Sequence, residues 1–250
     1  MSDKKYGIVT GASRGLGAAI AEELAREGYN LVITYSGQQA KAEEVKARLE
    51  KEYGVRIETY KISIQNENEV AEFRKWAEEN MGTDLVVLVN NAGTYCNVPA
   101  DEIDTKLFCD TINVNVNGTF FMCRYFVDLM KSNHFGKIIN LCSAVGLRAA
   151  PGSIAYASSK FAVRGMTQAL ALDLGKYNIQ VNAIAPGAHK TDMYYDAYKI
   201  DPELMDTRTK QCPLQRAGEV SEMWYVVRYF MESDFVTGQV VSPNGGTTMV

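Results

Sequence analysis

The chain is poor in the residues from which disulfide frameworks, zinc sites and many hydrolase active sites are built. Its 250 residues include five cysteines and two histidines. The cysteines are odd in number, irregularly spaced and form no C-x-x-C pair, which favours reduced thiols over disulfides or a metal site. A Ser-His-Asp triad would have to use His134 or His189, and neither lies in a recognisable triad context. We therefore predict no metal, no hydrolytic triad and a cytoplasmic location.

Long apolar runs and dense clusters of basic residues are missing as well. No stretch has the length and apolarity of a membrane span, and the start "MSDKKYGIVTG" lacks the apolar core and cleavage site of a signal peptide. The net charge is −4 and the isoelectric point is about 5.4. Without a concentrated Lys/Arg surface, binding to a phosphate backbone is disfavoured. We predict neither nucleic acid nor membrane as a partner.

Short apolar runs alternate with longer helical patterns along the whole chain. The predicted strands are residues 6–10, 30–35, 56–62, 85–90, 137–143, 180–186 and 238–243. Predicted helices cover residues 16–24, 39–52 and 67–80, and another begins near Glu219. Repeated strand–helix–strand units predict one α/β domain over residues 1–250, with a Rossmann-like, doubly wound, mostly seven-stranded parallel sheet and helices on both faces. Residues 187–217 look least regular, which is typical of a functional or mobile connection.

A glycine-rich turn, "TGASRGLG" at residues 10–17, follows the first strand and opens the first helix. Gly11, Gly15 and Gly17 allow a tight turn and a close backbone approach, so that a pyrophosphate can bind the N–H groups at the helix start. The spacing is G-x-x-x-G-x-G, and by itself it fits a loop that needs positive φ equally well. The strand before it and the helix after it favour the phosphate site.

The end of the second strand indicates which dinucleotide binds. In this fold a carboxylate there usually binds the ribose 2′-hydroxyl of NAD. Here the strand ends "VITYSGQQ", and the next acid is Glu43, inside the following helix. Arg14 in the glycine turn supplies positive charge and a planar donor fork. Together these features favour NADP(H), and the alternative is an ordinary solvated arginine.

The stretch "SIAYASSKFAV" puts Tyr156 and Lys160 one helical turn apart on the same face. Such a pair is either an acid–base couple or a surface contact, and the pair alone does not decide between them. A tyrosine with its ordinary pKa near 10 is a poor proton carrier at neutral pH, and a nearby ammonium would lower that pKa.

The order of the motifs decides in favour of the couple, because it resembles the short-chain dehydrogenase/reductase family over almost the whole chain. Much of the chain resembles the branch of 3-oxoacyl-carrier-protein reductases. The motifs that carry the resemblance are "TGASRGLG", "NNAG" (90–93), "NVNG" (115–118), "LCSAVG" (141–146), "YASSK", "PGAHKTDM" (186–193), "PLQRAGEVSE" and "VTGQVVSPNGG".

The resemblance implies a catalytic set and a cofactor site. Tyr156 would be the proton donor, Lys160 would tune it and bind the nicotinamide ribose, Ser143 would hydrogen-bond the carbonyl oxygen, and Asn115 would hold a water of a proton relay. The predicted contacts to NADP(H) are Gly11, Ser13, Arg14, Gly15, Leu16, Gly17, Tyr35, Ser36, Ile64, Asn91, Ala92, Gly93, Tyr156, Lys160, Pro186, Gly187, His189 and Thr191.

The implied activity is the NADPH-dependent interconversion of a ketone and a secondary alcohol. A 3-oxoacyl chain is the first substrate candidate, and a hydroxysteroid or other small ketone is the alternative. A non-catalytic NADP(H)-sensing module is an alternative of another class, against which the intact Ser143, Tyr156 and Lys160 argue. The resemblance also implies a homotetramer in which helices from segments 101–132 and 156–177 pack across a two-fold axis.

Some positions depart from the usual family residues. Ser63 and Asn244 replace common aspartates, and His189 replaces an aliphatic residue. The family resemblance implies that segment 187–217 covers the substrate, and there Tyr194, Tyr195 and Tyr198 either line an apolar pocket or only pack the lid. An acidic carrier protein needs basic residues for docking, and the candidates for this role are Lys131, Lys137 and Lys176. We expect free ketones to be reduced at least as efficiently as carrier-bound chains.

Overall fold

Seven parallel strands form a single sheet in the order β3-β2-β1-β4-β5-β6-β7. The structure is a computed structural model that describes residues 5–249, apart from the side chains of residues 204 and 208. The strands are β1 (Tyr6–Val9), β2 (Asn30–Tyr35), β3 (Ile57–Lys61), β4 (Leu85–Asn90), β5 (Gly136–Leu141), β6 (Ile179–Ile184) and β7 (Val240–Val241). The prediction of a seven-stranded parallel sheet is confirmed.

Helices cover both faces of the sheet, as predicted. They are α1 (Gly15–Arg26), α2 (Gln39–Tyr53), α3 (Glu67–Met81), α4 (Thr105–Ile112), α5 (Gly118–Asn133), α6 (Ile154–Leu174), α7 (Asp192–Ile200), α8 (Pro202–Gln211) and α9 (Met223–Glu232). On one face Phe73 of α3 and Phe126 of α5 pack in one apolar cluster, and on the other Leu24 of α1 and Phe230 of α9 pack in a second. Between residues 5 and 249, no helix is both long and apolar enough to cross a membrane.

The order of the strands positions the functional site. The chain leaves β1 toward β2 and β3 on one side, and β4 then pairs with the other side of β1. In open parallel sheets the crevice at such a reversal, outside the carboxyl ends of the strands, is where ligands bind. The loops after β1 and β4 therefore meet at this crevice.

The segment 101–132, predicted as one long helix, is divided in the structure. Asp104 caps α4 by accepting a hydrogen bond from the Leu107 N–H at 2.7 Å. A turn of π-helix over Asn113–Asn117 then joins α4 to α5. Single π turns inside helices are common at functional sites, and this one carries Asn115.

The segment 187–217 is more regular than the sequence suggested. It contains α7 and α8. The Thr191 hydroxyl caps α7 by accepting from the Tyr194 N–H at 3.3 Å, and Pro202 begins α8, where its fixed φ and missing N–H suit a first helical position. The prediction of a largely irregular connection was therefore wrong.

Candidate active site

A cleft of about 1250 Å³ opens along the carboxyl ends of the central strands. Its walls come from the glycine turn after β1, from Asn91–Gly93 after β4, from the Ser143 turn after β5 and from the loop that begins at Pro186 after β6. The sheet therefore brings segments that are distant in sequence to one elongated site.

The glycine turn needs two of its glycines because the loop after β4 approaches so closely. Gly11 has φ 64°, and a Cβ there would lie 2.9 Å from the Ala92 Cα. A Cβ on Gly17 would lie 2.4 Å from the amide nitrogen of Asn91, which donates to the Thr10 and Gly11 carbonyls at 2.8 and 3.0 Å. Gly17 thus supports the turn from behind, and it is not among the residues that line the cleft.

The start of α1 has the free N–H groups that a phosphate requires. Arg14 stands at the N-cap without a side-chain hydrogen bond to the helix, and the first turn holds no acidic residue. Gly15, with φ 58°, leaves the turn open toward the cleft. This arrangement fits the pyrophosphate of a dinucleotide.

The end of the cleft beside β2 holds the predicted adenosine contacts. Tyr35, Ser36 and Ile64 all line it. The Glu43 carboxylate turns away to accept from the Thr59 hydroxyl at 2.5 Å. A different carboxylate is present, however, because Asp192 of α7 accepts from the Arg14 guanidinium at 2.9 Å and from the Lys41 ammonium at 3.1 Å. The position of this acid beside Arg14 could not be predicted from the sequence, because the two residues are 178 positions apart.

Tyr156, Ser143 and Lys160 meet on the opposite wall. Ser143 caps the short 3₁₀ turn after β5, and its hydroxyl is hydrogen-bonded to Tyr156 on α6. The Lys160 ammonium lies 5.6 Å from the centroid of the Tyr156 ring and donates to the Leu141 carbonyl at 2.7 Å. Tyr95, from the loop after β4, meets the Tyr156 ring edge to face at 5.0 Å.

Burial sets the protonation of both side chains. It raises the pKa of Tyr156 to about 12, and the hydrogen bond with Ser143 opposes this rise. It also lowers the pKa of Lys160 to about 8. The expected lowering of the Tyr156 pKa is therefore not realised in this arrangement, because desolvation by burial raises the pKa and outweighs the hydrogen bond with Ser143. At neutral pH the Tyr156 hydroxyl keeps its proton, and Lys160 is charged.

Asn115 lies behind the cleft and organises its wall. The side chain is fully buried. Its amide oxygen accepts from the Thr94 N–H at 2.8 Å, and its amide nitrogen donates to the Thr94 carbonyl and to the Ser159 hydroxyl, both at 2.9 Å. Asn115 thus ties the loop after β4 to α6, next to the Lys160 side chain.

Comparisons with known proteins agree with this geometry. The family model of the short chain dehydrogenases matches residues 5–199. The chain belongs to the short chain dehydrogenase family. It is 36% identical to the 3-oxoacyl-(acyl-carrier-protein) reductase FabG of Staphylococcus epidermidis, over 98% of this chain and 99% of that protein. It is 33% identical to the gluconate 5-dehydrogenase of Gluconobacter oxydans, over 97% and 94% of the two chains.

A solved structure described as ElxO with NADP bound gives the same result for the fold. It superposes with a TM-score of 0.89 at 30% identity, and the match covers 98% of each chain. The protein is thus an oxidoreductase of the short chain dehydrogenase family with the family's Rossmann-like fold.

This short chain dehydrogenase brings nearly all of its predicted site residues to the cleft. The residues that line it are Gly11, Ser13, Arg14, Gly15, Leu16, Tyr35, Ser36, Ile64, Asn91, Ala92, Gly93, Ser143, Tyr156, Lys160, Pro186, Gly187, His189 and Thr191. Gly17 and Asn115 lie behind it, as described above. Their parts in cofactor binding and catalysis stay predictions.

His189 and Tyr194 line the cleft, whereas Tyr195 and Tyr198 do not. His189 is 6% exposed, and its Nδ1 is hydrogen-bonded to the Gly187 carbonyl at 3.0 Å. Its ring lies close to Gly218, where a Cβ would come 2.5 Å from the His189 Nε2. Tyr194 lines the cleft, whereas Tyr195 is half exposed and Tyr198 donates to Asp206 at 3.1 Å. Of these three tyrosines, only Tyr194 is positioned to contact a substrate.

Sequence reasoning missed several residues of this dehydrogenase's site. Tyr95 and the exposed Arg148 line the cleft near Ser143, and at the other end Asp192 pairs with both Arg14 and Lys41. An aromatic residue two positions after the end of "NNAG" was a usable signal for Tyr95. The ion pairs of Asp192 with Arg14 and Lys41 had no such signal, since the three residues come from different elements.

Proposed function

We propose that the protein is an NADPH-dependent reductase that interconverts a ketone and a secondary alcohol. The observation that carries the proposal is the grouping of Tyr156, Ser143 and Lys160 on one wall of the cleft whose other end offers a phosphate cradle at α1. A non-catalytic sensor of NADP(H) would have no need of a protonated phenol beside a charged, buried ammonium.

The proposed chemistry divides the work between cofactor and protein. A bound nicotinamide supplies the hydride. Ser143 hydrogen-bonds the substrate carbonyl oxygen, and Tyr156, whose pKa of about 12 keeps its proton, donates that proton to the oxygen as negative charge develops. Lys160, with its charge 5.6 Å from the ring centroid, stabilises the resulting phenolate.

The proton lost from Tyr156 has to be replaced, and Asn115 is our candidate for the relay. Gly93 lies between the two groups concerned, since a Cβ on it would be 3.0 Å from the Asn115 Oδ1 and 3.6 Å from the Lys160 Nζ. The missing side chain leaves room beside both polar groups, as a chain of water molecules requires.

NADPH rather than NADH is proposed from the charges at the β2 end of the cleft. Glu43 turns to Thr59, and the Arg14 guanidinium lines the cleft. The similarity to ElxO, a structure with NADP bound, supports the same choice. Replacing Arg14 with alanine should weaken the binding of NADPH far more than that of NADH. The difference in binding free energy should be about 1–3 kcal/mol if one charge-assisted hydrogen bond is lost. Equal losses for both cofactors would contradict the assignment.

For the substrate, two candidates deserve a direct test. Similarity to FabG of S. epidermidis favours a 3-oxoacyl chain on a carrier protein. The positions of the basic side chains favour a free ketone, such as the ketone form of a hydroxysteroid or another small ketone. The three lysines considered for docking lie near the starts of strands, at the edge of the sheet opposite the cleft. Lys131 precedes β5, Lys137 lies at the start of β5, and Lys176 precedes β6. Lys137 is also only 2% exposed. Around the cleft, Arg216 pairs with Glu222 at 2.6 Å, and Lys190 pairs with Glu219.

The experiment measures kcat/KM for NADPH oxidation with acetoacetyl-carrier protein and with a panel of free ketones, at low and high salt. We expect the free ketones to react at least as efficiently, with little dependence on salt. A strong preference for the carrier-bound substrate that falls at high salt would instead identify a docked carrier protein. Turnover of no ketone with either cofactor would contradict the proposed function.

A further inference from the structure

One carboxylate oxygen of Asp192 bridges two cations from different elements. Its Oδ2 accepts from Arg14 Nη1 at 2.9 Å and from Lys41 Nζ at 3.1 Å. Arg14 belongs to the glycine turn and Lys41 to α2, whereas Asp192 begins α7, 178 residues after Arg14. These hydrogen bonds, with that of Arg14 the stronger, hold the pKa of the Asp192 carboxyl below its ordinary value. The carboxylate is therefore ionised at neutral pH.

The bridge lies at the part of the cleft where we propose the adenosine end of NADPH to bind. Arg14 and Asp192 both line the cleft, together with Tyr35 and Ser36 at the end of β2. The first turn of α7 also lies against the glycine turn, because a Cβ on Gly15 would be 3.5 Å from the Thr191 Cγ2. Asp192 thus connects the segment above the substrate to the cofactor end of the cleft.

We propose that Arg14 and Lys41 together form the binding site for the cofactor's 2′-phosphate, and that the Asp192 carboxylate is an internal anion which this phosphate displaces. The inference rests on the proposed use of NADPH. It adds Lys41 as a second residue that selects NADPH over NADH, and it makes Asp192 a competitor of the phosphate.

The exchange follows from charge and exposure. The three side chains are 49, 45 and 44% exposed for Arg14, Lys41 and Asp192, and ion pairs between exposed groups are weak. A phosphate monoester carries close to two negative charges and three acceptor oxygens, so it competes well with one carboxylate for two cations. NADH has no such group and leaves the bridge intact. NADPH therefore detaches the start of α7 from Arg14 and Lys41.

The structure provides matched variants for the test. Asp192→Asn removes the competing charge, and Asp196→Asn is its control, because Asp196 lies on the same helix and pairs with Lys199 at 2.9 Å. Lys41→Ala removes the second cation, and Lys46→Ala is its control, because Lys46 lies on α2 and pairs with Glu58 at 3.2 Å. All of these side chains are near the surface, and thermal unfolding verifies that each variant folds.

The probes are adenosine 2′,5′-bisphosphate and adenosine 5′-monophosphate, which differ only in the 2′-phosphate, and the measurement is titration calorimetry. Asp192→Asn should lower the dissociation constant of the bisphosphate by about 2- to 30-fold, which corresponds to the loss of two exposed ion pairs. The same variant should leave the dissociation constant of the monophosphate unchanged. Lys41→Ala should weaken the binding of the bisphosphate and not that of the monophosphate. Both control variants should bind the two nucleotides like the wild type.

Two different results would overturn the inference, and they can be told apart. A wild-type protein that binds both nucleotides equally would remove the proposed preference for NADPH and the exchange with it. A wild type that prefers the bisphosphate, with Asp192→Asn indistinguishable from Asp196→Asn and Lys41→Ala indistinguishable from Lys46→Ala, would leave NADPH as the cofactor and refute the exchange alone.

Discussion

Replacing Tyr156 with phenylalanine removes one hydroxyl group and very little else. The aromatic ring and its edge-to-face contact with Tyr95, with centroids 5.0 Å apart, are retained. What is lost is the hydrogen bond with Ser143 and the proton that we propose to reach the substrate oxygen. The variant therefore separates proton donation from the packing of α6 and from the cofactor site.

The expected size of the effect follows from these losses. One neutral hydrogen bond contributes about 0.5–1.5 kcal/mol to the free energy of unfolding, so the variant should fold and melt within a few degrees of the wild type. A positioned general acid contributes about 10²- to 10⁴-fold to the rate. At about 1.4 kcal/mol for each factor of ten, the activation free energy should rise by roughly 3–5 kcal/mol.

The assay is steady-state NADPH oxidation with a reactive free ketone, together with a fluorescence titration of NADPH binding. We expect kcat to fall by about two to four orders of magnitude while the dissociation constant of NADPH stays nearly unchanged. Tyr95→Phe is the control, since it changes the neighbouring ring in the same way and should keep most of the activity. A Tyr156→Phe enzyme within about tenfold of the wild-type rate would refute the proposed proton donor.

The other predictions concern charge, packing and assembly. The folded-state pKa of Lys160, about 8, is below its ordinary value, so the ammonium is charged below pH 8 and neutral above it, whereas Tyr156 keeps its proton up to about 12. The rate of ketone reduction should thus fall as the pH rises through about 8. In Lys160→Arg the fall should occur at a higher pH, because arginine stays charged. A rate that does not change across this pH would contradict the role of the ammonium. In denaturant unfolding, Gly17→Ala should lose about 1–3 kcal/mol, because its Cβ would lie 2.4 Å from the Asn91 amide nitrogen. Gly165→Ala, with open space around the new Cβ, should instead gain about 0.5–1 kcal/mol, and equal effects would refute the close-approach argument. We expect a homotetramer through the exposed aromatic side chains of α5 and α6, which light scattering tests and a monomer mass at micromolar protein would exclude.

The strands and the sheet were predictable because buried parallel strands appear in a sequence as apolar runs. Leu85–Asn90 is buried at every position, and its six residues were predicted to the residue. The two helices of segment 187–217 escaped prediction for the opposite reason. α7 has only nine residues and none of them is buried, so it is shorter than the window over which a helical period can be recognised in a sequence. Only Thr191 at its cap and Pro202 at the start of α8 marked the helix boundaries.

The same reasoning explains which parts of the site could be predicted. Tyr156 and Lys160 share one helix, so their spacing alone puts them side by side. Arg14 and Asp192 meet from positions 178 residues apart, and local sequence holds no record of such a contact. The pKa of Tyr156 was misjudged because the sequence indicates its charged neighbour but not its burial, and burial dominates the shift. The π turn at Asn115 likewise depends on backbone geometry that helix propensity does not specify.

The central position of β1 in the sheet has a consequence for the order in which the molecule folds. The Thr10 hydroxyl at the end of β1 accepts hydrogen bonds from the N–H groups of Asn91 and Ala92, which follow more than 80 residues later. During synthesis on the ribosome, β1 can therefore pair early with β2 but must wait for β4 before its second edge and the glycine turn are closed. Such distant pairings make folding slow and leave strand edges exposed in the meantime. A nascent chain that stalls between β3 and β4 should leave the second edge of β1 unpaired, so this interval of translation is when we expect chaperones to be needed most.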